Sequence, residues 1–369
     1  FFGQLVVLGL IQLGGIGYMT LGSFIILSRK SPLPSKRHEI SKAVFSLPDS
    51  FRVEKFIRSV IHFTVVIESL GTLCLYFIFR EAGVDQPLWH AVFHSVSSFC
   101  TAGFSLYSNS FEQYSTNFWL NVVVAIMSYL GAIGFIVCVD FWRKFRGKTN
   151  AITLTSKIIL WTTFWMSIIG TTLLFLSEPS TQSQPADTRL LSSFFQCMTA
   201  MTTVGFNTLN LAQFSKASLL ILIVLMIIGA SPSGTGGGLK CTTFSAILGV
   251  MRSAIRGEKE VSFWGNPVPL ERIWTSVASL GFYLVVLVIG TYLLELTEAS
   301  TFEENLFEAA SALGTVGLSL GITANLTHMG KIVIILLMFC GRLGPLTFGI
   351  ALFFKDRHIS DLQDNDLAV

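Results

Sequence analysis

Charge is what this sequence has least of. Only 13% of its 369 residues are Asp, Glu, Lys or Arg, about half the share of an ordinary soluble domain, and that excludes a water-soluble globule. The six cysteines (Cys74, Cys100, Cys138, Cys197, Cys241 and Cys340) lie in or beside apolar segments with no paired loop spacing. They are small core residues, not a disulfide framework. No period-2 alternation is present, which excludes a membrane β-barrel. No Arg-rich helix is present, which disfavours a voltage sensor. No facing Ser–His or Asp–Asp pair stands in mid-span to support an intramembrane enzyme. His90 and His94 are four apart, but Ala91 stands where the helical zinc motif needs Glu. The pair is read as helix packing or polar anchoring. No signal peptide is visible, and Phe1 falls inside an apolar run, so the native start is expected upstream.

Apolar stretches are what the chain has in abundance. Phe1–Leu27, Phe56–Phe79, Asn117–Phe141, Ile152–Leu176, Ile273–Leu294 and Ile332–Phe354 each approach or exceed the ~20 residues that cross a bilayer as helix. Leu219–Gly229 and Thr243–Val250 read as halves of one interrupted span. The class is therefore an all-α, multi-pass membrane protein.

The few charges are sorted by loop. Arg29, Lys30, Lys36, Arg37, Lys42, Arg52, Lys55 and Arg58 crowd the first polar loop; Arg143, Lys144, Arg146, Lys148 and Lys157 crowd the next alternate one. Arg252, Arg256, Lys259 and Arg272 mark a third, and Lys355 and Arg357 the tail. The opposite loops hold Arg80, Arg189, Lys216 and Lys331 against ten acids, including Glu295, Glu298, Glu303, Glu304 and Glu308. The positive-inside rule puts the basic loops and the C-terminus in the cytoplasm of a plasma (inner) membrane protein. These loops are short and beside spans, so no nucleic acid partner is expected; membrane lipids are. Trp89, Trp119, Trp142 and Trp264 fit interfacial belts. The acidic outer cluster either concentrates cations or is an ordinary solvated face.

A unit repeats along the chain. Thr101-Ala102-Gly103-Phe104, Thr203-Val204-Gly205-Phe206 and Thr315-Val316-Gly317-Leu318 have glycines 102 and 112 residues apart. Each follows a stretch too short to span (Leu88–Phe99, Leu190–Met201, Phe302–Leu313), and a long apolar segment follows each. Those second spans share a mid-length mark: Gly14-Gly15-Ile16-Gly17, Gly131-Ala132-Ile133-Gly134, Gly229-Ala230-Ser231-Pro232 and Gly341-Arg342-Leu343-Gly344. Close helix packing accounts for these glycines. Four marks against three loops imply a fourth loop, its glycine about 14 residues before Phe1 by the repeat offset. The expected division is 1–50 (second helix of repeat 1 and a cytoplasmic loop), 51–150 (repeat 2), 151–271 (repeat 3) and 272–369 (repeat 4 with a short tail). The expected fold is fourfold pseudosymmetric helix–pore loop–helix repeats around a central cation pore, the first repeat incomplete.

Non-helical backbone at membrane depth must line a cavity or be buried in protein. Loops with a central Gly can turn carbonyls toward one axis, and rings of such oxygens replace an alkali cation's water, as in the TVGYG filter. The expected filter is Cys100, Thr101, Ala102 and Gly103, then Thr202, Thr203, Val204 and Gly205, then Gly314, Thr315, Val316 and Gly317, with potassium held there. The half-helix C-termini aim partial negative charge at the centre. Ser300-Thr301-Phe302-Glu303 reads as a capping box for the last of them.

Residues 230–239 (Ala230, Ser231, Pro232, Ser233, Gly234, Thr235, Gly236, Gly237, Gly238 and Leu239) cannot continue a helix, because Pro removes a donor and each Gly costs ~1 kcal/mol. A flexible loop at membrane depth is expected. A phosphate loop is excluded by Leu239 before Lys240 and by the lack of a preceding strand. Arg342 in mid-span costs from ~3 to over 10 kcal/mol unless it faces water or a partner. It either faces the pore, raising the barrier to cations, or pairs with Glu68 or Asp140. Glu68 and Asp140 otherwise read as helix contacts.

The three filter segments, IGASPSGTGGGLK at Ile228–Lys240 and FCGRLGPLT at Phe339–Thr347 together resemble the Trk/Ktr/HKT superfamily of potassium transporters, most closely the Ktr membrane subunits, over the whole chain. The resemblance implies a fourfold pore in one subunit and a homodimer of such subunits. It also implies a cytosolic RCK-type, KtrA-like ring of nucleotide-binding regulators and potassium uptake often stimulated by sodium. It makes the 230–239 loop (Ser231 to Gly238) and Arg342 an intramembrane gate. No cofactor is expected on this subunit; potassium is substrate and sodium a modulator. A sodium-selective member of the same superfamily is the rival, marked by Ser for Gly in the first filter, which would lie upstream.

Overall fold

The computed structural model describes residues 1–17, 53–147 and 151–344. Outside them lie the first basic loop from Arg29 to Arg52, Lys148, the expected continuations of the outermost second spans to Leu27 and Phe354, Pro345–Thr347, and the tail with Lys355 and Arg357. The side chain of Lys55 is likewise not described.

The described residues are mostly helical. Helix α1 is Phe2–Ile16. Three times thereafter a long helix is followed by a half-length helix, a non-helical strip and a further helix. The first such unit is α2 (Val53–Glu81), α3 (Pro87–Phe99) and α4 (Phe118–Ile133), with α5 (Phe135–Phe145) continuing it. The second is α6 (Leu154–Ser177), α7 (Ala186–Thr202) and α8 (Lys216–Ile227), continued by α9 (Cys241–Arg256). The third is α10 (Leu270–Thr297), α11 (Phe302–Gly314) and α12 (His328–Leu343). A two-stranded hairpin, β1 (Ser262–Phe263) against β2 (Asn266–Pro267), sits in the basic connection before α10; an all-α reading did not include it.

Length and apolarity alone make Phe56–Glu81, Leu154–Ser177 and Leu270–Thr297 membrane-crossing helices among the described residues. A fourth candidate, α4 with α5, is bent by 93°. The sequence pattern had made Asn117–Phe141 one span. It breaks because Gly134 takes φ 91° and ψ 153°, a region essentially open only to Gly. Gly17 and Gly344 end α1 and α12 in the same way, at φ 87° each. The second-span marks are therefore of two kinds. The leading glycines do pack closely: a Cβ on Gly131 would meet the Phe99 carbonyl, one on Gly341 the Leu313 carbonyl, and one on Gly15 the Cys100 side chain. The trailing glycines stop the helix.

Helix starts follow local capping rules. Asn117, Ser215 and Thr327 stand at equivalent positions before α4, α8 and α12, and each side chain accepts a hydrogen bond from the backbone N–H three residues on. Before α11 the capping box is Thr301 with Glu304. It lies one residue later than the Ser300–Glu303 reading, because Ser300 donates to Asn305 Oδ1 instead (2.7 Å) and Glu303 pairs with Lys216.

Packing is sequential. The half-length helix of each unit lies against the long helix before it and the helix after it. The second helix of one unit also packs on the half-helix of the next, α1 on α3, α4 on α7, and α8 on α11. The buried clusters fill these seams. Leu222, Met226, Phe307 and Leu313 join α8 to α11, and Phe93, Phe99 and Met127 form a second cluster with α1 and α2. The outward side of α10 keeps Leu284, Val285, Val288 and Ile289 exposed, the surface a lipid-facing helix presents.

Candidate functional site

The three strips begin with the same turn. The N–H groups of Ala102, Val204 and Val316 each donate to the carbonyl five residues back, to Ser97 (2.9 Å), Thr199 (3.2 Å) and Ser311 (2.9 Å). That is the Schellman closure of a helix, whose left-handed residue is ordinarily Gly. Here it is Thr101, Thr203 and Thr315, at φ 49°, 61° and 54°. A β-branched residue in that region is strained by ~1–3 kcal/mol, so three threonines in one strained place mark a position kept for its hydroxyl. Gly103, Gly205 and Gly317 follow at φ 69°, 82° and 91°.

The strips lie side by side. A Cβ on Gly103 would run into the Val204 carbonyl, and one on Gly205 into the Val316 carbonyl. All three glycines line one cavity of about 390 Å³. Glu112 and Asn207 are on its wall, and Asn207 Nδ2 donates to the Glu112 carboxylate at 2.9 Å. Of the remaining filter residues, Cys100 is buried at the foot of its strip. The Thr202 hydroxyl turns back to the Met198 carbonyl (2.7 Å), and Gly314 packs on the Met226 carbonyl. The Thr203 hydroxyl is buried without a protein partner, an oxygen free for a ligand.

One loop touches all three strips. Thr235 Oγ1 lies 3.0 Å from Thr101 Oγ1 and donates to the Phe99 carbonyl at 3.1 Å. Gly236 has room for no side chain because Thr203 Oγ1 is there, and Gly237 none because of Thr315. The same loop fills the break between α4 and α5. Ser231 N–H donates to the Ala132 carbonyl (3.1 Å), and Thr235 N–H to that of Gly131 (3.1 Å). The Ser231 hydroxyl reaches the Ala132 and Ile133 carbonyls. In return Phe135 N–H donates to the Ser233 carbonyl and Ile136 N–H to its hydroxyl, 3.2 Å each. The groups a helix break leaves unpaired are thus matched by a loop that has no helix of its own. Pro232, Gly234 and Gly238 complete it, with Gly238 at φ 72° beside Gly314. The docking gives the backbone of the glycine-rich segment the hydrogen-bond partners it cannot supply itself.

Arg342 closes the arrangement from α12. Its guanidinium donates to the Thr235 and Gly14 carbonyls. The alternative of an ion pair is not what the structure shows. Glu68 accepts instead from Gln12 Nε2 (3.1 Å), and Asp140 from Thr153 and Ser156 at the start of α6. Lys240 Nζ donates to the Gly236 carbonyl at 3.0 Å within the loop. His94 is buried, stacked on Tyr107 and bonded to Ser105 Oγ (3.1 Å), the anchoring role read for it. Among the described residues no group of three His, Cys, Asp or Glu is placed to hold a metal.

The outer acids are structurally engaged. Glu303 meets Lys216, whose ammonium holds the carboxyl below its usual range. Glu304 closes the capping box, Glu295 accepts from Asn305, and Glu298 from Thr327. Glu308 gathers Ser319, Thr323 and the Leu320 N–H behind the third strip. Sequence reasoning missed these duties, and it missed Gln12 as a partner of the site. The Ser/Thr/Asn residue near each acid was the available signal.

Residues 2–361 match the protein family described as "TrkH: Cation transport protein". The Ktr system potassium uptake protein B of Vibrio alginolyticus is 33% identical over 355 residues, 95% of this chain and 78% of that protein. The potassium/sodium uptake protein NtpJ of Enterococcus hirae is 33% identical over 361 residues, 96% and 79% respectively. The crystal structure of the potassium transporter TrkH from Vibrio parahaemolyticus shares the fold, with a TM-score of 0.72 at 18% identity, covering 94% of this chain and 71% of that one.

Proposed function

Because this chain belongs to the TrkH family of cation transport proteins, which are transporters and not enzymes, we propose that it is the membrane-embedded, ion-translocating subunit of a potassium-uptake system. The observation that carries this reading is the meeting of Gly103, Gly205 and Gly317 at one cavity, each strip preceded by a half-length helix and a left-handed threonine. Carbonyl and hydroxyl oxygens of the strips stand in for the water of a dehydrated potassium ion. The helix ends favour a cation at that point. Inward movement is driven by the membrane potential, ~2.3 kcal/mol per 100 mV for each charge.

The loop 230–239 (Ser231 to Gly238) and Arg342 form the gate in this reading. The loop lies directly against the strips and Arg342 holds the loop, and a fixed cation there opposes passage. Positive-inside sorting supports a plasma-membrane protein with its basic loops and C-terminus in the cytoplasm, where an RCK-type regulatory ring docks. A homodimer, sodium as modulator and the absence of a bound cofactor complete the proposal. The name of the Enterococcus relative, which includes sodium, keeps sodium transport as the second reading.

Rubidium and sodium uptake into vesicles holding the full-length protein, alone and with its regulator, tests the function. Selective, potential-driven rubidium entry is expected. Sodium entry at equal rates would overturn the potassium assignment.

A further inference from the structure

Glu68 is a carboxylate in the middle of α2, a helix whose span has a mean hydropathy of 1.7. Such a residue is retained at a cost of at least ~3 kcal/mol and marks a functional role by default. Its surroundings say which. One oxygen accepts from Gln12 Nε2 at 3.1 Å, and the other faces Cys100 Sγ at 3.7 Å. The same thiol lies 3.8 Å from Gln12 Oε1. Cys100 is the residue before Thr101, so the carboxylate is one side chain away from the first described strip. Ser95 Oγ donates to the Glu68 carbonyl at 2.7 Å, which fixes α2 against α3 at that level. Gly15 presses on Cys100 from α1, and Arg342 binds the neighbouring Gly14 carbonyl. The Gln12–Gly15 turn is therefore held both by an acid and by the gate arginine.

We infer that Glu68 is a positioning and affinity-setting residue for the cation pathway. It holds Cys100, and with it the Thr101–Gly103 strip, and when ionised it places a negative charge behind that strip with only neutral donors as direct partners. Charge in such a setting acts over several ångströms, because the interior screens it far less than water does. It favours a cation in the strips and offsets the positive field of Arg342. This inference rests on the reading that the Thr101–Gly103 strip lines the cation path.

The test compares Glu68→Gln, Glu68→Asp and Thr101→Val in vesicles, measuring rubidium uptake against rubidium concentration at matched protein amounts. Glu68→Gln keeps the volume and the Gln12 contact but loses the charge. It is expected to raise the half-saturating rubidium concentration about threefold or more, with a smaller change in maximal rate. Glu68→Asp keeps the charge and is expected to stay closer to wild type. Equal half-saturation for Glu68→Gln and wild type, with Thr101→Val shifted, would overturn the inference and leave the pathway intact. If neither variant shifts it, the reading of the strip itself is lost. Parallel falls in maximal rate and thermal stability for both Glu68 variants, with half-saturation unmoved, would assign Glu68 to packing alone and also overturn the inference.

Discussion

Gly134→Ala separates a docked gate from a merely adjacent loop. Gly134 holds φ 91° and ψ 153°, where an L-residue is strained by ~1–3 kcal/mol. Its new Cβ would stand 2.6 Å from the Pro232 carbonyl oxygen, 2.8 Å from Ser231 Oγ and 3.0 Å from Gly234 N. Both penalties fall on the state in which α4 is broken and the loop lies in the break. Neither falls on a state in which α4 runs straight and the loop has left. The backbone part alone shifts that equilibrium by ~5- to 150-fold. Rubidium uptake into vesicles at matched protein content should therefore rise at least severalfold. Gly17→Ala, at the same position of α1 with φ 87°, carries a like backbone strain outside the α4–α5 break and should bring no such rise. Uptake by Gly134→Ala at or below the wild-type rate, with an unchanged thermal midpoint in detergent, would refute the coupling of loop and helix break.

Gly205→Ala puts a methyl group into the Val316 carbonyl at φ 82°; rubidium uptake should fall to background while protein persists in the membrane, and retained uptake would count against the strips as pathway. Thr301→Ala removes the hydroxyl of the α11 capping box and should cost about 1 kcal/mol of stability, read as a lower denaturation midpoint that Thr301→Ser restores. Burial at Glu178 raises its carboxyl, but hydrogen bonds from Ser180, Ser218 and Ser215 outweigh it and hold the group below its ordinary 4.5. Its contribution is therefore present above that value and lost as pH falls through the lower folded one. As pH falls from about 5 to below 4 the wild-type thermal midpoint should fall more steeply than that of Glu178→Gln; parallel curves would remove Glu178 as a pH-linked brace.

Much of the fold was legible because a bilayer restricts the choices. Half-length apolar stretches beside Thr-x-Gly located α3, α7 and α11 within a few residues of their observed ends. The 230–239 break was legible from Pro232 and its glycines. Three features were not. The trailing glycines look the same in sequence as the packing glycines, since both lack a side chain; only the sign of φ at Gly17, Gly134 and Gly344 distinguishes them. The capping register slipped by one because Ser300-Thr301 and Glu303-Glu304 offer two equivalent boxes, and Asn305 and Lys216 decide between them. The partners of Arg342 are backbone carbonyls, which carry no residue-type signal, so a search for acids pointed to Glu68 and Asp140 instead.

The central claim is that backbone oxygens of the strips take the place of an ion's water. Anomalous scattering from crystals of the full-length protein grown in rubidium measures this directly. The account predicts ordered rubidium where the strips of Gly103, Gly205 and Gly317 meet, within contact of their carbonyls. Rubidium ordered elsewhere in the protein, with none between those strips, would contradict it.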